Sequence, residues 1–249
     1  MRRAQGNLTR IHVPAALAPG ATLPLPPAAA HHLSRVLRAA VGDEVVVFND
    51  GAEFAATITR IDKTGVSVKV AAGGAVDRET PLFFTLAQAI SSGERMDMTL
   101  QKSVELGVAR VQPLYSERSI VRLAAERTAK RVAHWQQVVV AACEQSGRNV
   151  VPPVAAPLPF TDWLGALPQA YADELRVLLS PRAGTRLAEL SRPRRVTLLA
   201  GPEGGFTAVE AELAQRYGFV ALRLGPRILR TETAALAALA AMQTLWGDF

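Results

Sequence analysis

Two short stretches of the chain set glycine, proline and charge directly behind apolar runs, a placement suited to holding a small ligand. The first, LLAGPEGGF at 198–206, breaks a buried-looking strand with Gly201, Pro202, Glu203, Gly204 and Gly205. Glycine has no side chain to keep a ligand away from the backbone, and three glycines exceed what a tight turn needs. The second, LGPRILRTETA at 224–234, turns at Gly225 and Pro226 and starts a helix near Thr231. A helix N-terminus carries partial positive charge and offers free N–H groups. Thr231 and Glu232 suit that terminus as cap and dipole partner. Arg230 does not, because a cation there is unfavourable without an anion beside it. Arg230, Thr231 and Glu232 together mark an edge that binds an anionic or polar group. Neither stretch matches G-x-G-x-x-G or G-x-x-x-x-G-K-[ST], so the dinucleotide and P-loop readings lack their residues.

Other polar clusters are less specific. KSVELG (102–107) and EQSGR (144–148) each end a helix-like segment, and Gly107 fits the position that closes a helix. Both carry more polar residues than a helix stop requires. Arg182, Arg186, Arg192, Arg194 and Arg195 crowd into 14 residues, a phosphate-contacting patch or a solvated basic loop. His12, His31, His32 and His134 form no H-E-x-x-H, and G-x-S-x-G is absent. The single cysteine, Cys143, forms no internal disulfide or cysteine metal cluster and reads as a buried apolar side chain.

The charge balance points to phosphate. Of 28 basic residues only Lys63, Lys69, Lys102 and Lys130 are lysine, leaving 24 arginines, and the net charge is +6. Arginine suits bidentate phosphate contacts, and the pI near 10.1 fits a nucleic-acid binder. Aromatic residues are 6%, with no motif that stacks RNA bases on a sheet. At 49% hydrophobic and 20% charged the chain is not disordered. The charge-free run 11–34 holds five prolines and the run 233–247 is 15 residues long, so neither suits a membrane span. The start, MRRAQGNLTR, lacks the apolar stretch of a signal peptide, and the cytoplasm is the expected location.

The elements that must position these residues fall into two parts. Residues 1–75 hold short β-branched runs at 11–13, 45–48, 54–61 and 66–70, separated by turn residues, which suggests a small barrel. One helix is expected at 28–39, with His32, Arg35 and Arg38 on one basic face and Leu33, Val36 and Leu37 on the apolar one. AAGGAVDRET (71–80) reads as a linker. Beyond it, strands at 82–90, 108–115, 175–179, 196–200 and 220–224 alternate with helices at 94–106, up to Ser146, 208–217 and 231–245. That alternation implies a parallel α/β sheet, whose ligands bind beyond the carboxyl ends of the strands. Thr207 and Glu210 match a capping box. Residues 151–191, rich in proline and arginine, show nothing distinctive.

Taken in order, KSVELGV, SERS, AACEQSGR, LLAGPEGGF and LGPRILRTETA behind HHLSRVLR resemble the RsmE-type ribosomal RNA methyltransferases of the SPOUT superfamily, over essentially the whole chain. The resemblance implies a PUA-like, RNA-binding β-barrel at 1–75. It implies a SPOUT α/β methyltransferase domain with a deep C-terminal trefoil knot at 76–249, working as a homodimer. It implies S-adenosylmethionine-dependent methylation of N3 of one uridine in 16S ribosomal RNA, free or within the small subunit, with no metal. The cofactor pocket is then expected from Leu199, Ala200, Gly201, Pro202, Glu203, Gly204 and Gly205, and from Leu224, Gly225, Ile228, Leu229, Arg230, Thr231, Thr233 and Ala234, with Leu224, Ile228 and Leu229 as its wall. Arg230 is the expected stabiliser of an anionic uracil or a flanking phosphate, and Glu232 or Glu203 the expected base, since a protonated N3 is a poor nucleophile. Arg10, Arg35 and Arg38 are expected to guide the RNA. A non-catalytic RNA-binding protein, and a knotted methyltransferase of transfer RNA or of a ribose hydroxyl, stand as the other readings.

Overall fold

The computed structural model describes residues 8–119 and 125–249; the first seven residues of the basic start read above lie outside them. The chain divides into two compact units, one of Met1–Glu79 with Cys143–Val151 and one of Thr80–Ala142 with Pro152–Phe249. The first unit is thus not contiguous in sequence: it takes in the segment that carries EQSGR.

In the first unit, β1 (Arg10–His12), β2 (Thr22–Pro24), β3 (Glu44–Asn49), β4 (Ala52–Asp62) and β5 (Gly65–Ala75) form one sheet in the order β1-β3-β4-β5-β2. β1 runs parallel to β3 and the other pairs are antiparallel. Alternate apolar residues, among them Val45, Val47, Ile58, Val66, Val68 and Val70, face one core. Asp50 and Gly51 join β3 to β4 with positive φ of 46° and 80°, the backbone that a two-residue hairpin turn requires. The expected linker is shorter than its composition suggests, because Ala71–Ala75 completes β5. Gly73 explains the composition: a Cβ there would lie 2.2 Å from the Glu53 carbonyl oxygen and 2.5 Å from Phe54 Cα. The glycine permits strand contact rather than a flexible joint.

The basic helix also differs from expectation. α1 spans only Pro27–His31, and the chain then widens into a π turn, His32–Val36, with Leu37 N–H donating to His32 O. Arg38 ends it with φ of 52°. His32, Arg35 and Arg38 therefore do not share one α-helical wheel. Leu33 is buried, but Val36 and Leu37, expected on the apolar face, are exposed, as are Arg35 and Arg38.

The second unit contains β6 (Phe83–Ala89), α2 (Gly93–Glu105), β7 (Arg110–Tyr115), α3 (Ala125–Ser146), β8 (Leu158–Pro159), α4 (Phe160–Ala166), β9 (Glu174–Leu179), β10 (Arg195–Ala200), α5 (Ala208–Arg216), β11 (Val220–Leu222) and α6 (Thr231–Trp246). The last turn of α3 belongs to the first unit. The sheet order is β11-β9-β10-β6-β7-β8 and every pairing is parallel, as the alternation predicts. Residues 151–191 are not structureless: α4 sinks Phe160, Trp163 and Leu164 into the core with Leu178, Leu199 and Phe219. After the last strand the chain returns, and α6 packs against α2 and β10. Gln243 of α6 fixes that contact, with Nε2 donating to Leu106 O at 2.9 Å and Oε1 accepting from Thr80 Oγ1 at 2.8 Å. Gly107, with φ of 87°, is required twice, since a Cβ there would meet Gln243 Nε2 at 2.6 Å.

Candidate functional site

The site is built at the carboxyl ends of β6, β9, β10 and β11, where an open parallel sheet places its ligands. β10 stays buried through Ala200 and then breaks into the glycine turn. Gly201 is crowded: a Cβ would sit 3.3 Å from Gly205 Cα and from the Phe206 ring. Gly204 lies against Arg118, whose Cβ would be 3.2 Å away, and Gly205 has φ of 66°. The turn is stopped by the capping box, Glu210 N–H donating to Thr207 Oγ1 at 3.2 Å and Thr207 N–H to Glu210 Oε2 at 2.9 Å. The second stretch leaves β11 at Leu222, turns at Gly225 with φ of 96°, and enters α6 with Arg230 at the N-cap.

One hydrogen-bond cluster ties the two stretches together. Thr231 Oγ1 donates to Gly201 O at 2.5 Å, and Gln88 Nε2, at the end of β6, reaches Thr231 Oγ1 at 3.3 Å and Gly201 O at 3.4 Å. Gln88 is fully buried and Glu232 nearly so, yet among the described residues Gln88 Oε1 and Glu232 Oε2 have no partner. A buried polar atom left unpaired costs about 1–3 kcal/mol, so such atoms mark where another group docks. Glu232 lines a cleft of about 810 Å³ with the glycine turn, other residues of the 224–234 stretch and the loop after β9, and Gln88 adjoins it through its bonds to Thr231 and Gly201. That volume lies within the usual range of about 300–1,000 Å³ for small-molecule sites. Arg95, Arg118, Arg182, Arg223, Arg227 and Arg230 line it against Glu203 and Glu232, so the cleft is strongly positive.

Comparison with known proteins fits this geometry. Residues 78–243 match the model of an RNA methyltransferase domain, and residues 25–71 that of an RNA methyltransferase PUA domain. Ribosomal RNA small subunit methyltransferase E of Buchnera aphidicola (subspecies Schizaphis graminum) is 36% identical over 88% of both chains. A structure of ribosomal RNA small subunit methyltransferase E from Neisseria gonorrhoeae, bound to S-adenosyl methionine, is 44% identical and superposes with a TM-score of 0.89, covering 98% of this chain and 100% of its own. A Legionella pneumophila structure in complex with SAM gives 0.93 at 41% identity over 98% and 100%. The chain belongs to the ribosomal RNA small subunit methyltransferase E family.

Within this family member, most residues expected at the cofactor pocket do line the cleft. Leu199 and Thr233 do not. Leu199 is fully buried in the sheet core and supports the turn from below, while Thr233 is exposed on the first turn of α6. Ile228 is 85% exposed and stands at the mouth instead of forming a closed wall. Glu203 is ill suited to be a base. Its Oε1 accepts from Ser92 N–H at 3.1 Å, Ser92 Oγ at 3.2 Å and Arg95 Nη1 at 2.9 Å. Burial alone would raise its pKa, but these donors outweigh burial and hold it below the usual carboxylate range.

Arg10 also has a different setting from the RNA-facing one expected. It is 15% exposed in its side chain, with Nη1 on Glu53 at 2.5 Å and Nη2 on Asn149 Oδ1 at 2.5 Å and Gly147 O at 3.2 Å. With Arg78, which also bonds Glu53 and Gly147 O, it fastens the 147–149 turn to the first unit. The Glu53 carboxyl is lowered to about 2, chiefly by the Arg78 hydrogen bond. Arg148 pairs with Glu79, and Glu144 accepts from His12 N–H, its pKa raised by burial. EQSGR is thus explained by attachment. The remaining basic patch disperses: Arg192 donates to Trp246 O and Arg195 pairs with Asp173 at 3.6 Å over the Tyr171 ring. Sequence reasoning missed Gln88, Arg95, Arg118, Arg223 and Arg227. Gln88 stands at a strand end, the one place where a buried amide carries a functional signal; the arginines carry none singly.

Proposed function

We propose that this chain methylates N3 of one uridine in 16S ribosomal RNA with S-adenosylmethionine as methyl donor. The observation that carries the reading is the cleft itself: two backbone-rich turns pinned by Thr231 and Gln88, with the Glu232 carboxylate oxygen unpaired beside Arg230 in sequence. The relatives solved with that cofactor support it, and the residues fit it. The glycines leave backbone open on one side, Leu178, Leu222 and Ala234 offer apolar surface, and Thr231 N–H and the helix terminus offer donors. When bound, S-adenosylmethionine supplies an electrophilic sulfonium methyl. The chain's own residues prepare the acceptor. Glu232 Oε2 takes the N3 proton, leaving the electron pair on N3, and the Arg230 guanidinium stabilises the resulting anion across O2 or O4. The uracil must present its Watson–Crick edge, so the target is unpaired or flipped out.

The finer features of the family follow as part of the proposal. The return of α6 to β10, after β11 has been laid beyond β9, closes as a trefoil knot, and the active form is a homodimer in the cytoplasm. Among the described residues no helix is long and apolar enough to cross a membrane. Arg35 and Arg38, exposed on the PUA-like unit, steer the RNA. The test is transfer of labelled methyl to unmodified small subunits, naked ribosomal RNA and transfer RNA, followed by nucleoside analysis. Label recovered as 3-methyluridine from ribosomal RNA is the expected result. Label in a ribose or in transfer RNA, or none with the cofactor unbound, overturns it.

A further inference from the structure

The cleft holds more positive charge than one cofactor can use. Its lining has six arginines against two glutamates, an excess of four charges. Arg95 is occupied by Glu203, and Arg118 Nη1 donates to Gly204 O at 3.0 Å. With Arg230 assigned to the base, Arg182, Arg223 and Arg227 remain; among the described residues none of them pairs with a carboxylate. Their backbones are nevertheless fixed side by side. Ser180 N–H donates to Leu222 O at 2.9 Å and Arg223 N–H to Thr185 O at 3.1 Å, which stitches the loop carrying Arg182 to the strand end carrying Arg223. The turn at Gly225 then brings Arg227 back to the same lining.

Like charges gathered on braced backbone without counter-carboxylates destabilise the free protein and favour an anionic partner. A single carboxylate is satisfied by one bidentate arginine, so three unpaired guanidiniums call for a repeated anion. We propose that Arg182, Arg223 and Arg227 form a grip on the RNA backbone, holding the phosphates on either side of the target nucleotide at the cleft mouth. The proposal rests on the RNA-methyltransferase reading of the cleft and assigns the substrate-holding side of it. The grip sets the register of the strand, while Thr231, braced by Gln88, and Glu232 receive the base.

The full chain and its Arg182→Ala, Arg223→Ala and Arg227→Ala variants are titrated with a fluorescently labelled single-stranded RNA containing uridine, over a series of salt concentrations. Each variant is expected to weaken binding and to lower the magnitude of the log K against log salt slope by about 0.7, the value for one phosphate contact on a single strand. The lysine variants recover the slope, and Arg216→Ala, exposed on α5 away from the cleft, leaves it unchanged. S-adenosylmethionine affinity, measured by calorimetry, stays at the parent value throughout. Unchanged slopes in all three alanine variants overturn the grip, and so does loss of cofactor affinity at constant slope, which makes these arginines holders of the cofactor carboxylate. Slopes that respond in a chain that transfers no methyl leave the grip standing and remove the enzymatic reading.

Discussion

At the scale of single residues, the two glutamates of the cleft separate cleanly. Glu203 is surrounded by donors that hold it ionised, and its bonds to Ser92 and Arg95 shape the turn. Glu232 is buried with one oxygen free. Glu232→Gln should lower kcat for methyl transfer by about 10²–10⁴-fold, the usual contribution of a positioned base, with cofactor affinity unchanged. Glu203→Gln should instead raise the cofactor KM more than it lowers kcat. Steady-state kinetics of the two variants side by side checks the assignment, and equal kcat losses would refute it. Glu53 gives a pH prediction. Its carboxyl is lowered to about 2 in the fold, so its stabilisation is complete above the ordinary carboxylate range and is lost as pH falls through about 2. Between pH 5 and pH 2 the parent should therefore lose more stability than Glu53→Gln, as read from unfolding midpoints at each pH. Part of this placement was legible beforehand. Arg230 and Glu232 stood out because their charges answer to a helix dipole that the sequence reveals. Arg10 misled, because the partners that bind it, Glu53 and Asn149, lie 43 and 139 residues away.

At the scale of elements, apolar periodicity located the strands and long helices, since burial of one face imposes a period that a sequence carries locally. It failed where long-range contact overrides composition. Ala71–Ala75, with its paired glycines, extends β5 because the Gly73 backbone lies against Phe54. The π turn at His32–Val36 needs one extra residue per turn, which no wheel drawn at 3.6 residues anticipates. β8 and α4 are too short for a periodic signal. Gly107 is the element-level position to test. Alanine there must adopt φ of 87° and displace Gln243, so Gly107→Ala should cost about 2–4 kcal/mol from backbone strain and a lost hydrogen bond. Chemical denaturation measures this, with Gly184→Ala, open on all sides, as the reference.

At the scale of the whole molecule, the order of the two parts was readable but the return of Cys143–Val151 to the first unit was not, because it is decided by Arg10, Arg78 and Glu53 together. A fragment ending at Glu79 should therefore remain largely unfolded by circular dichroism and amide-proton spectra. Adding a synthetic peptide of residues 143–151 should bring a measurable part of the fold back, and a fragment that folds fully without it would contradict this account. The same interruption governs how the chain is made. A domain that comes first from the ribosome is usually the first to fold, but here the segment that locks it emerges some 70 residues after Glu79. At about 5–20 residues per second that delay is about 4–14 s. The N-terminal unit waits, its Arg10 and Arg78 without the Gly147 and Asn149 acceptors, while the sheet of the other unit begins to grow between its two pieces of chain. The part of the molecule that is synthesised first thus cannot be completed until more than half of the chain, through Val151, has emerged.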